Sequence, residues 1–117
     1  WIAGFSFGAW IGMQLLMRRP EISGFISVAP PPNIYDFSFL APCPASGLVL
    51  QGEADEHVPL EDVQKLAEKL ATQRAVTIDY RTVPKADHFF TGHLDAMRTE
   101  VDDYLDTALA DLTAEAS

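Results

Sequence analysis

Apolar positions in this chain fall into short continuous runs that alternate with longer stretches of helical periodicity. Phe25-Ile26-Ser27-Val28-Ala29 stops at Pro30-Pro31-Pro32, and Leu48-Val49-Leu50 is bounded by Gly47 and Gly52. Runs of that length, punctuated by Gly and Pro, predict strands covered on both faces and therefore paired in parallel. Trp1-Ile2-Ala3 reads as the end of another strand. Residues 75–83 differ, because Val76, Ile78 and Tyr80 alternate with Thr77, Asp79 and Arg81. That period predicts a strand with one wet side, near a sheet edge.

Helical stripes lie between these runs. Residues 8–18 hold helix formers that stop before Pro20, and Trp10, Ile11, Met13, Leu15 and Leu16 encircle the segment, which predicts a helix buried on most sides. Pro59 followed by Glu61 and Asp62 marks a second start, with Val63, Leu66, Ala67 and Leu70 on one face of a helix over about residues 60–72. Leu94, Met97, Val101, Leu105, Ala108 and Leu112 predict a long closing helix with an acidic outer face. Residues 30–46 carry five prolines with Tyr35, Phe37 and Phe39, the composition of an ordered irregular loop bordering a ligand site. The resulting order of strand, helix, strand, loop, strand, helix, strand, helix specifies an α/β fold: a parallel sheet of about three to four strands with flanking helices, one domain over residues 1–117.

Composition narrows the function. The formal net charge of -9, with basic residues scattered, offers no footprint for phosphate backbones or anionic lipid, so nucleic acid is not expected as a partner. No apolar run reaches the roughly 18 residues of a membrane span, and the expected location is the cytoplasm. Cys43 is the single cysteine, which excludes an internal disulfide; between Pro42 and Pro44 it reads as a small buried apolar side chain.

Parallel sheets bind ligands outside the carboxyl ends of their strands. Ser6 follows the first strand, Asp55 the strand of residues 47–51, and His88 the strand of residues 75–83, so all three fall on one sheet edge. Ser6 sits in Gly4-Phe5-Ser6-Phe7-Gly8, between a strand and a helix. A sharp turn there demands strained backbone angles and close contact with neighbouring strands, which argues for glycine at both Gly4 and Gly8. A serine hydroxyl is a weak nucleophile at neutral pH and needs a base such as histidine, whose imidazolium in turn needs a carboxylate.

Gly4-Phe5-Ser6-Phe7-Gly8 resembles the nucleophile elbow of the α/β-hydrolase superfamily, and the acid and histidine follow in that superfamily's chain order. Gln51-Gly52-Glu53-Ala54-Asp55-Glu56-His57-Val58-Pro59 is similar to its acid loop, and Ala86-Asp87-His88-Phe89-Phe90 to its histidine loop. Nearest in character are the small cap-less bacterial hydrolases related to dienelactone hydrolase, although those with a cysteine nucleophile differ at Ser6. The resemblance implies a truncated α/β-hydrolase fold, the carboxyl-terminal portion of a longer hydrolase. It also implies Ser6 as nucleophile, His88 as base, Asp55 as orienting acid and the Phe7 backbone N–H as one oxyanion donor. The second donor would come from a loop ahead of the elbow, and its loss would lower turnover on the order of 10² to 10³.

The expected activity is cleavage of small carboxylic esters through an acyl-enzyme, with no cofactor and no metal; thioesterase, acyltransferase and peptidase share that step. The rival reading is a non-catalytic fragment or assembly module that retains triad residues without a complete oxyanion hole. Phe5 and Phe89, as substrate-binding residues, with Phe7 and Phe90, either line an acyl pocket or belong to the core. His57 and His93 read as surface or capping residues, Glu53 and Asp87 as loop-shaping carboxylates, and Glu56 as a further nearby acid. An exposed first strand, with Trp1 and Trp10 uncovered, predicts a homo-oligomer or pairing with a missing amino-terminal half.

Overall fold

Each apolar run pairs as its composition requires, and the four strands form a single parallel sheet in chain order. The computed structural model describes residues 1–19, 21–37, 39, 45–72 and 76–116, with side chains as far as residue 109. The strands are β1 (Ile2–Phe5), β2 (Gly24–Val28), β3 (Ser46–Gly52) and β4 (Ile78–Val83); the helices are α1 (Phe7–Arg18), α2 (Leu60–Leu70) and α3 (Leu94–Ala116). The expectations for Pro20, Cys43, the Leu112 side chain and much of the loop beyond residue 37 fall outside the described residues.

Alternation along the strands divides the core into two layers. Phe25 and Val49 point to one face, where Met13 and Leu16 of α1 and Val63, Leu66 and Leu70 of α2 cover them. Ile26, Val28, Leu48 and Leu50 point to the other, where Tyr104, Met97, Val101 and Leu105 of α3 close the layer. β2 and β3 are thus buried from both sides, which is why their sequences read as unbroken apolar runs. β4 lies at one edge of the sheet with most of its residues half-buried, as its alternating pattern requires.

Arg81 of β4 fixes the acidic helix α3 against the sheet. Its guanidinium reaches Asp79 Oδ2 at 2.9 Å, Glu100 Oε2 at 3.2 Å and Asp103 Oδ2 at 2.7 Å, and lies 6.0 Å from the centre of the Tyr104 ring. The hydrogen bond to Asp79 is the largest cause of a guanidinium pKa held above its ordinary value. Burial is the main reason that the Tyr104 phenol is likewise pushed up.

α1 departs from the expected burial on most sides. Met13 and Leu16 are enclosed, but Ile11 and Leu15 are 40% and 37% exposed. The helix packs over β1 and β2 with Met13 and Leu16 on its sheet side, whereas Ile11 and Leu15 fall on the opposite face. Trp10 also differs from expectation, since its ring stacks on Tyr35 at 4.8 Å and its indole N–H donates to Asp36 O at 3.0 Å. Trp1 remains 47% exposed, with its ring 6.1 Å from that of Tyr104. Among the described residues, no helix is long and apolar enough to cross a membrane.

Candidate active site

The hydrogen bonding of the parallel sheet runs past the strand ends and draws three loops together. Ser6 N–H donates to Val28 O, Ala29 N–H to Leu50 O, Glu53 N–H to Val83 O and Ala54 N–H to Ala86 O. The residues that follow β1, β3 and β4 are therefore held side by side. At Gly52 the approach is so close that a Cβ would lie 2.4 Å from Ala86 O and 2.6 Å from Asp87 O. Only glycine lets the loop after β3 seat directly on the loop that carries His88.

Ser6 occupies the N-cap of α1, where a serine side chain ordinarily accepts a backbone N–H of the first turn. Here it makes no such bond. Its backbone instead adopts φ 54 and ψ -116, a strained combination for a residue with a Cβ, and Oγ stands 2.9 Å from His88 Nε2. Gly4 permits the turn, because a Cβ there would fall 2.3 Å from Gly8 O. At Gly8 there is room: a Cβ at that position would meet nothing within 4 Å among the described residues. The elbow is tight at its first glycine, whose neighbour is the backbone of the second.

The far side of the imidazole faces Asp55, whose Oδ2 lies 2.7 Å from His88 Nδ1. Asp55 Oδ1 accepts the backbone N–H groups of His57 and Val58 at 2.8 and 2.9 Å, so both carboxylate oxygens are engaged. The side chains of His88 and Asp55 are only 6% and 1% exposed. With a carboxylate as acceptor, Nδ1 carries the ring proton and Nε2 presents its lone pair to the Ser6 hydroxyl. The groups form one continuous hydrogen-bonded chain from Oγ to carboxylate.

Phe7 is the first residue of α1, so its N–H has no acceptor within the helix and lies next to Ser6. On the other side of the serine, Phe5 is 41% and Phe89 58% exposed, and their rings stand 5.6 and 5.0 Å from the His88 ring. Phe90, by contrast, is fully buried in the core against α3. His93 precedes α3 and accepts Met97 N–H through its carbonyl, the capping position expected of it. Glu53 accepts the Thr82 hydroxyl, and Asp87 accepts Thr91 N–H, which holds its carboxyl below the usual range. No three His, Cys, Asp or Glu side chains among the described residues are grouped to hold a metal ion.

Three contributors were not legible beforehand. Gln51 is fully buried and its side-chain N–H donates to Val58 O at 3.0 Å, bracing the acid loop from beneath. Asn33 donates to His57 O at 3.1 Å from the loop after β2. His57 is not merely a surface residue, since its ring meets that of His88 edge-on at 5.2 Å. The one available signal was a polar Gln51 ending the run Leu48-Val49-Leu50. A separate cleft of about 220 Å³, bounded by Pro32, Phe37, Lys65 and Lys69, shares none of these residues.

Residues 1–115 match the dienelactone hydrolase family. This chain belongs to the dienelactone hydrolase family. An uncharacterized protein of Rickettsia prowazekii (strain Madrid E) is 50% identical over 110 residues, which are 91% of this chain and 46% of that protein. The crystal structure of a protein of unknown function from Agrobacterium tumefaciens is 61% identical, with a TM-score of 0.93 over 95% of this chain and 51% of the other. A Xanthomonas campestris protein described as an α/β serine hydrolase without a lid is 33% identical, with a TM-score of 0.79 over 92% of this chain and 46% of its own. The chain thus spans about half the length of the relatives it matches, and within that span it has the α/β-hydrolase fold.

Proposed function

We propose that this dienelactone hydrolase family member is a serine hydrolase that cleaves small carboxylic esters. The observation that carries the reading is the unbroken chain from Ser6 Oγ through both nitrogens of His88 to Asp55. In the proposed mechanism His88 Nε2 takes the hydroxyl proton as Ser6 Oγ attacks the ester carbonyl. Asp55 accepts from Nδ1–H and stabilises the resulting imidazolium, while the Phe7 N–H at the start of α1 faces the developing oxyanion. Collapse of the tetrahedral intermediate transfers the Nε2 proton to the departing alcohol. Water activated by the same nitrogen then releases the acid and restores Ser6.

Two features support this over a module that merely retains the residues. Ser6 gives up its capping bond and holds a strained backbone, costs that a structural serine would not incur. Asp55 has both oxygens satisfied in a nearly enclosed setting, which fixes the imidazole orientation. Short accessible esters suit a site whose relative from Xanthomonas campestris is described as having no lid.

Intact-protein mass spectrometry during turnover of phenyl acetate tests the reading. The expected result is a transient acetyl adduct on the peptide containing Ser6, absent in Ser6→Ala. Turnover that persists unchanged in Ser6→Ala would overturn it.

A further inference from the structure

The three rings packed round His88 define which part of an ester they meet. The argument rests on the ester-hydrolase reading above. When the acyl group passes to Ser6, the Ser6 Oγ–C bond forms and the bond from carbonyl carbon to leaving oxygen breaks. The proton that Ser6 gave to His88 goes from Nε2 to that leaving oxygen, so the alcohol must lie within hydrogen-bond reach of Nε2. Side-chain groups packed against His88 are therefore close to the leaving oxygen that its Nε2 protonates.

Those groups are Phe5, His57 and Phe89. Their ring centres stand 5.6, 5.2 and 5.0 Å from that of His88, and Phe89 in turn lies 6.1 Å from Phe5 and 5.6 Å from His57. His57 cannot swing freely with its backbone, because its N–H is bonded to Asp55 and its carbonyl to Asn33. Phe5 and Phe89 keep 41% and 58% of their surface uncovered, although both strand-end loops are otherwise knitted to the sheet. The rings meet at 44 to 89°, a mixture of tilted and edge-on contacts. Such an arrangement leaves faces and edges free to take a further ring. A second aromatic group is built round Phe7, 51% exposed, which packs on Trp10 and Tyr35 while these stack on each other at 4.8 Å.

We propose that Phe5, His57 and Phe89 form a leaving-group site for aryl alcohols, so that phenolic esters are the favoured substrate class. His57 and Phe89 are specificity-determining residues in this account.

The test compares phenyl acetate, with its ring on the alcohol, against trifluoroethyl benzoate, with its ring on the acid and an activated alkyl leaving group. Phe89→Leu, which keeps the bulk, and His57→Ala should each lower kcat/KM for phenyl acetate about tenfold, the worth of a lost ring pair. Loss on the benzoate should be at least about threefold smaller, because only its small trifluoroethyl group meets these rings. Equal loss on both esters, or loss on the benzoate alone, would overturn the assignment. Binding is read separately by NMR of the imidazole groups: phenol should shift His57 and His88 resonances in the wild type and not in Phe89→Leu, while cyclohexanol shifts neither. Absent turnover with these phenol shifts retained would sink the hydrolase reading and leave the aryl site standing. Absent phenol shifts would remove the aryl site whatever the fate of Ser6.

Discussion

Gly52→Ala is the substitution whose consequence follows most directly from the coordinates. The new methyl would sit 2.4 Å from Ala86 O and 2.6 Å from Asp87 O, against an ordinary contact of at least 3.4 Å. The two loops must therefore separate by about 1 Å. Ala86 O is also the acceptor for Ala54 N–H at 2.8 Å, so the same movement breaks the bond that ties the acid loop to the histidine loop. A displacement of about 1 Å would take the 2.7 Å contact between His88 Nδ1 and Asp55 Oδ2 past the roughly 3.2 Å limit of a good hydrogen bond. Misplacement on that scale costs about 10²-fold in rate, and overpacking of this kind costs about 1–3 kcal/mol of stability. The assay pairs kcat/KM on phenyl acetate with thermal unfolding: a folded protein, several degrees less stable, with activity down by two orders of magnitude. A folded Gly52→Ala protein within about twofold of wild-type kcat/KM would refute the claim that this glycine seats the histidine loop, since so small a change is far below the cost of misplaced catalytic groups.

Gly8→Ala should stabilise the protein by up to about 1 kcal/mol, because the site is open and alanine is the better helix former; a lowered Tm would contradict this. Arg81→Met should cost about 1–3 kcal/mol by releasing three carboxylates and the hold on α3, measurable as a loss in urea unfolding that shrinks as salt is added to the wild type.

Much of the frame was legible because local chemistry and tertiary placement agree. The runs Phe25–Ala29 and Leu48–Leu50 read as doubly covered strands and are so, while the alternation through Ile78 and Tyr80 marked the sheet edge. Chain order and strand ends were enough to bring Ser6, Asp55 and His88 to one place. Apolar residues all round α1 did not show which face meets the sheet, so Ile11 and Leu15 were expected inside and lie partly outside. The glycine pattern was misleading in one half: Gly4 is required by the backbone of Gly8, whereas Gly8 has room. Contacts between loops distant in sequence left no local signal, and Asn33, His57 and the seat at Gly52 all belong to that class.

Covalent labelling with a fluorophosphonate, followed by peptide mapping, bears most directly on whether the hydroxyl held by His88 is a nucleophile. The account predicts one modified residue, Ser6, with labelling slowed by at least about 10²-fold in His88→Ala and abolished in Ser6→Ala. Modification at a different residue, or at Ser6 with equal speed when His88 is gone, would contradict it.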